Sequence, residues 1–166
     1  FGANITYQDV KPGEVIEGKN YKVTLANLFH PNGCYAYRIE HEGKALVFST
    51  DCEHYEDRPN KSLIEFCQDA DALIYDAQYT EDEYYGLNGE FSRKGWGHST
   101  MQEGVKVAKA ANVEKLILFH HDPTHDDNFI KQIETESRKL FPQSIAAYEG
   151  LQIDLSQNEL PKSLFD

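Results

Sequence analysis

Leu116 to Phe119 is a run of four apolar residues, LILF, that stops on HHDPTHDD (120–127), three histidines and three aspartates within eight residues. So short a run suits a buried strand and falls far below the length of a membrane span. A strand that ends this abruptly delivers its polar successors to a strand tip, where layered α/β folds gather their sites. The arrangement recurs along the chain: YKVTLANLF (21–29) runs into His30, ALVFST (45–50) into Asp51, and ALIY (72–75) into Asp76. The sequence therefore predicts strand ends loaded with chemistry, and the elements between them must bring those ends to one side.

Residues 21–29 alternate as a strand. Residues 35–40 and 45–50 predict a hairpin across His41-Glu42-Gly43-Lys44, where Gly43 can take the positive φ a tight turn needs. From Asn60 the period becomes helical, with Leu63, Ile64, Phe66 and Cys67 on one stripe and Asn60 as predicted N-cap. Ala72 to Tyr75 predicts a short buried strand. Thr100-Met101-Gln102-Glu103 fits a capping box ahead of a helix whose inner face is Met101, Val105, Ala108 and Ala111. Asp126 or Asp127 is placed to cap a further helix carrying Phe129, Ile130, Ile133 and Leu140; Pro142 stops it, and residues 145–155 are predicted extended. Strands first and alternating helix and strand afterwards point to an α/β layered fold, read here as one unit over 1–166.

Charge and cysteine content bound the function. A net charge of −12, with sixteen scattered Lys and Arg, argues against a surface that grips nucleic-acid backbone. It leaves room for a small phosphate ligand if a metal supplies the positive charge. Three cysteines, an odd number without a CxxC pair, favour a reduced, cytoplasmic setting, and no long apolar run suggests a membrane. Asn4 and Asn60 begin glycosylation sequons that read as chance matches. The first residues resemble neither a signal nor a transit peptide, and a start on Phe1 carries the expectation that something preceded it.

The chemistry-bearing residues each have two readings. Alone, His30 reads as a loop histidine or a ligand, and Asp51 as a turn or helix cap or a ligand. His120, directly after four apolar residues, is poorly explained by solvation. Neutral imidazole and carboxylate suit zinc, manganese or iron(II). Asp76 and His98, the latter within Gly95-Trp96-Gly97-His98-Ser99-Thr100, form a candidate carboxylate–imidazole pair. A carboxylate can fix the tautomer and favour the protonated ring, as a general acid requires. The alternative is a loop histidine at a helix N-terminus, where the dipole opposes protonation. Tyr35, Tyr37, Tyr55, Tyr79 and Trp96 lie near the strand tips, as base-stacking groups or as core and rim; His54 is either a second-layer hydrogen-bonding group or solvated.

In their order and spacing these pieces resemble the C-terminal half of the metallo-β-lactamase superfamily, most of all its phosphodiesterase-like branch of tRNA 3′-processing endonucleases and cyclic-nucleotide phosphodiesterases. HPNGCYAYRI (30–39) is similar to the branch's histidine and Gly-Tyr-Arg element, with Ala36 in the glycine position. FSTD (48–51) looks like its Thr-Asp or Gly-Asp strand end, GHST (97–100) like its Gly-His-Ser-Thr segment, and LFHHDP (118–123) like its last metal motif. Tyr75-Asp76-Ala77-Gln78 departs from the His-Glu-Ala-Thr of the tRNA-processing enzymes, keeping only an acidic residue and the alanine.

The resemblance implies a fold that is the C-terminal half of an αββα sandwich. It implies two divalent metal ions, zinc first, with manganese or iron as alternatives. His30 and His120 would each bind one metal, Asp51 would bridge them, and Asp76 with His98 would handle the leaving-group proton. The superfamily's His-x-His-x-Asp-His is not found in these residues. The site is therefore expected to be incomplete in this chain, its remaining ligands lying in an N-terminal half. A half-sandwich should expose an apolar sheet face and a strand edge, to be covered by that N-terminal half or a second copy. The function expected is a metal-dependent phosphodiesterase acting on a small phosphodiester or cyclic nucleotide. Two other readings stay open: a non-catalytic binding or assembly domain, and a carboxylic-ester, thioester or lactam hydrolase.

Overall fold

The computed structural model of the chain describes residues 5–7 and 9–166, so Phe1 and the Asn4 sequon lie outside the described residues. The elements run β1 (Val15–Glu17), β2 (Tyr21–Leu28), β3 (Cys34–His41), β4 (Lys44–Ser49), α1 (Lys61–Cys67), β5 (Ala72–Asp76), α2 (Glu81–Tyr85), α3 (Met101–Ala110), β6 (Lys115–Phe119), α4 (Asp127–Leu140) and β7 (Ser144–Ala146). The seven strands form one sheet in sequence order. β1 to β4 pair antiparallel, and β4 through β7 pair parallel. This is the predicted layered α/β architecture, strands first and helical crossovers afterwards.

Local chemistry explains the joints. Glu42 and Gly43 both take positive φ, 48° and 78°, giving the two-residue turn whose twist suits a hairpin. Asn60 caps α1 by accepting the Leu63 amide at 3.2 Å. At the other end of α1, Arg38 of β3 donates to the carbonyls of Phe66 (3.1 Å) and Gln68 (3.0 Å), satisfying groups the helix cannot and tying it to the sheet. Thr100 caps α3, but only half of the expected capping box forms, because Glu103 pairs with Lys106 instead of reaching back. The complete box, Thr80 with Glu83, heads the short α2, which the sequence pattern did not reveal. Of the predicted extended segment 145–155, only its start belongs to a strand.

Strand alternation sorts the sheet into two faces. Ala36, Val47, Leu73, Tyr75, Leu116 and Leu118 meet Leu63, Cys67, Val105, Ala108 and Ile133 of the helices in the main core. The helix lies tight on the sheet at Gly104 of α3, where an added Cβ would lie 2.7 Å from Cδ1 of the fully buried Tyr75. Gly104→Ala is expected to destabilise the chain by about 1–3 kcal/mol through overpacking, despite the better helix propensity of alanine, and to lower Tm accordingly. An unchanged or raised Tm would show that Tyr75 can give way.

The opposite face is covered in part by the C-terminal segment, with Tyr148, Leu151, Ile153 and Leu155 against Ala72, Ile117 and Ile145. They leave a groove of about 320 Å³ floored by Ile74, Ile117 and Phe119. Tyr35, Tyr37, Ile39 and Phe119 remain 37–40% exposed on this face.

Candidate active site at the strand ends

The turn after β2 closes with the Gly33 amide donating to the His30 carbonyl at 3.0 Å, and the Asn32 amide holds His30 Nδ1 at 3.2 Å. Asp51 follows β4 and His120 follows β6, and both leave their strands with positive φ, 56° and 62°. A left-handed turn immediately after a strand throws the side chain across the strand tips, at a conformational cost of about 1 kcal/mol or more for a residue with a Cβ. Asp76 needs no such turn. As the last residue of β5, between the other two strand ends, it is 0% exposed.

Asp76 is the hub. Its Oδ2 accepts the Asp51 amide at 2.9 Å and faces His98 Nδ1 at 3.0 Å; its Oδ1 accepts the amides of Ser99 (3.1 Å) and Gln78 (3.2 Å). The His120 ring stacks on His98 at 4.9 Å, with Nδ1 at 3.5 Å from Asp76 Oδ2 and Nε2 at 3.7 Å from Asp51 Oδ1. Burial pushes the Asp76 carboxyl up, but the His120 and His98 imidazoles and the Ser99 amide outweigh it and hold the group below its ordinary value. The Asp76 carboxylate lifts His120 above the ordinary imidazole value against the opposing effect of burial, and Asp51 adds to the rise. His30 meets His98 edge-on at 5.9 Å.

The five residues singled out from sequence thus converge, in two overlapping groups that share His98. His30, Asp51 and His98 form one and Asp76, His98 and His120 the other, each with ligand atoms within 4.8 Å of one another. His120 Nδ1 is buried without a hydrogen-bond partner. An orphaned imidazole nitrogen beside two carboxylates is a donor set suited to a divalent metal. His30 and Asp51 lie in one of the two groups and His120 in the other, so neither group holds all three residues expected from sequence to bind metal.

The other residues of HHDPTHDD turn out to have different work. His125 Nε2 meets Glu83 of α2 at 2.9 Å, Asp122 accepts the Thr124 amide and hydroxyl, and Asp126 caps α4. His121 is half-buried, with both ring nitrogens shielded from solvent and without a hydrogen-bond partner. His54 faces Ser99 Oγ at 3.0 Å, behind the site. Tyr79 is core, Tyr55 stacks on Phe29, and Trp96 stands 53% exposed. The sequence reading missed Glu53, a buried carboxylate bound to the loop before His98, and Gly97, on which His30 rests. The close spacing of Gly95 and Gly97 was the available signal for the second; for Glu53 there was none.

This geometry can be set beside known proteins. The profile of the Beta-lactamase superfamily domain matches residues 3–121, more than half of the chain. The chain belongs to the beta-lactamase superfamily. It is 31% identical to Ribonuclease Z of Archaeoglobus fulgidus over 121 residues, which is 70% of this chain and 34% of that enzyme. Zinc-bound PqqB from Methylobacterium extorquens superposes with a TM-score of 0.66 at 22% identity, covering 89% of this chain and 52% of that one. Human tRNase Z, short form, superposes with a TM-score of 0.60 at 17% identity, covering 84% and 45%. These two structures show the shared fold. The chain spans about a third of the Archaeoglobus enzyme.

One expectation is overturned. The charge argument pointed to a small phosphodiester and away from nucleic acid, yet the relatives are ribonucleases, enzymes of a nucleic-acid substrate. Net charge averages over the surface of a segment, whereas a phosphate is held by the few groups that touch it. A metal centre supplies that positive charge locally.

Proposed function

We propose that this chain is the C-terminal portion of a metal-dependent hydrolase that cleaves phosphodiester bonds in RNA. The observation that carries the reading is the convergence of His30, Asp51, Asp76, His98 and His120 at adjoining strand ends, in a chain 31% identical to a Ribonuclease Z. His30, Asp51 and His120 would hold divalent metal, completed by ligands from an N-terminal half. Metal bound there would supply Lewis-acid stabilisation of the charge that builds on phosphate. The absent His-x-His-x-Asp-His motif and the open apolar face both support that completion.

The chain's own residues handle the proton. With Nδ1 engaged by Asp76, the His98 imidazole is held in one orientation, leaving Nε2 to hand a proton to the departing ribose oxygen. Asp76 holds the His98 ring in place and, by accepting the Asp51 amide, fixes the backbone of a proposed metal-binding residue.

The test is cleavage of a 3′-extended tRNA precursor by the full-length protein. Alanine at His30, Asp51 or His120 is expected to lower cleavage by about 10²-fold or more, together with bound metal. Cleavage that survives all three changes together would end the reading.

A further inference from the structure

We propose that Glu53 is a positioning residue for His98, a role that rests on the function proposed above. Glu53 is 4% exposed. Its Oε1 accepts the Gly95 amide at 2.6 Å and the Tyr84 hydroxyl at 2.8 Å, and its Oε2 accepts the Gly97 amide at 3.0 Å. Both oxygens therefore close on the Gly95-Trp96-Gly97 turn, whose next residue is His98. The Glu53 amide donates to the Phe29 carbonyl at 2.7 Å, so the clamp is itself fixed to the loop that carries His30.

Among the described residues no lysine, arginine or histidine pairs with this carboxylate; its partners are two amides and a phenol. A buried charge without a cation is costly, and three converging donors offset that cost only while the loop keeps its shape. Burial and the neighbouring Glu53 carboxylate push the Tyr84 phenol up, so it stays a neutral donor. The arrangement also selects a carboxylate over an amide, because a glutamine must turn its NH₂ toward one of the donors. Gly97 and Gly95 sit at φ 91° and 81°, a conformation that favours glycine and needs holding. Gly97 lies directly against the His30 ring, whose own Nδ1 is held by the Asn32 amide and not by the clamp.

The experiment uses the full-length protein and two phosphodiesters that differ in their need for a proton. Bis(p-nitrophenyl) phosphate releases a phenolate that departs unprotonated, whereas RNA releases a ribose alkoxide that requires an acid. Glu53→Gln is expected to lower kcat on RNA by about 10²-fold while kcat on the chromogenic diester falls no more than about threefold, with KM and metal content unchanged. Equal losses on both substrates, or no loss on either, would overturn the proposal. Tyr84→Phe removes one donor and leaves both amides. It is expected to shift the same ratio by a few fold, and it decides the matter if Glu53→Gln does not fold. Should the unaltered protein cleave neither substrate, it is the proposed function that fails. The clamp is then judged by NMR: the hydrogen-bonded His98 Nδ1 proton should be seen in the unaltered protein and lost in Glu53→Gln, and its persistence would remove the role.

Discussion

Gly97→Ala is expected to abolish most phosphodiester cleavage by the full-length protein, by about 10²-fold or more, while Gly95→Ala costs far less. Both glycines have positive φ, 91° and 81°, so both variants carry the same class of backbone strain, roughly 1–2 kcal/mol. Their surroundings differ. A Cβ at Gly95 meets nothing within 4 Å, whereas a Cβ at Gly97 falls 2.2 Å from His30 Cδ2, 2.6 Å from its Nε2 and 2.9 Å from Pro31 Cδ. Imidazole and pyrrolidine ring would both have to move, and the His30 ring is the group proposed to meet metal. Subtracting the Gly95→Ala effect isolates the displacement of His30 from strain common to the loop. Metal content and RNA cleavage of the two variants, measured side by side, check it. Equal losses would mean that His30 has room to move and that the contact is incidental.

The strand tips were legible because β4, β5 and β6 are short, largely apolar runs that stop on polar residues, a pattern set by burial along parallel strands, and because β2 is an alternating strand that stops on His30 before Pro31. His30, Asp51, Asp76 and His120 were found that way, and the structure brings their side chains together with His98. What the sequence hid were contacts between separate loops. Glu53 lies in DCEHYEDR, where several carboxylates look alike, and only the fold shows that one of them turns inward to two glycine amides. HHDPTHDD misled in the opposite sense. Its density of ligand-type residues suggested one function, but His125 and Asp126 are occupied with α2 and α4, and only His120 faces the site.

Asp76→Asn is the variant expected to do the widest damage, because a single carboxylate organises both proposed roles. Three backbone amides, from Asp51, Ser99 and Gln78, and the His98 ring converge on its two oxygens, and the His120 ring lies 3.5 Å away. Asparagine keeps one acceptor oxygen and must aim its NH₂ at donors whichever way it turns. Removing the charge of a fully buried carboxylate whose imidazole partners are partly exposed costs up to about 3–5 kcal/mol, so the variant's midpoint in urea should fall markedly. Cleavage should fall by about 10²–10⁴-fold, since His98 loses the partner that fixes its tautomer.

The pH dependence separates this explanation from simple loss of packing. Asp76 is held below its unfolded value of about 3.9, so its contribution to stability is fully present above that pH and fades as pH drops through the lower folded value. The stability gap between the unaltered chain and Asp76→Asn should therefore widen as pH falls through the raised His120 value and narrow again below about 4. His120 works in the other direction. Its raised value means that its pairing with Asp76 stabilises most at low pH and is lost as pH rises through the folded value, above about 6.5. A gap that stays flat down to pH 2 would show that Asp76 carries no linked proton, and the two imidazoles would then have to be anchored by something other than its charge.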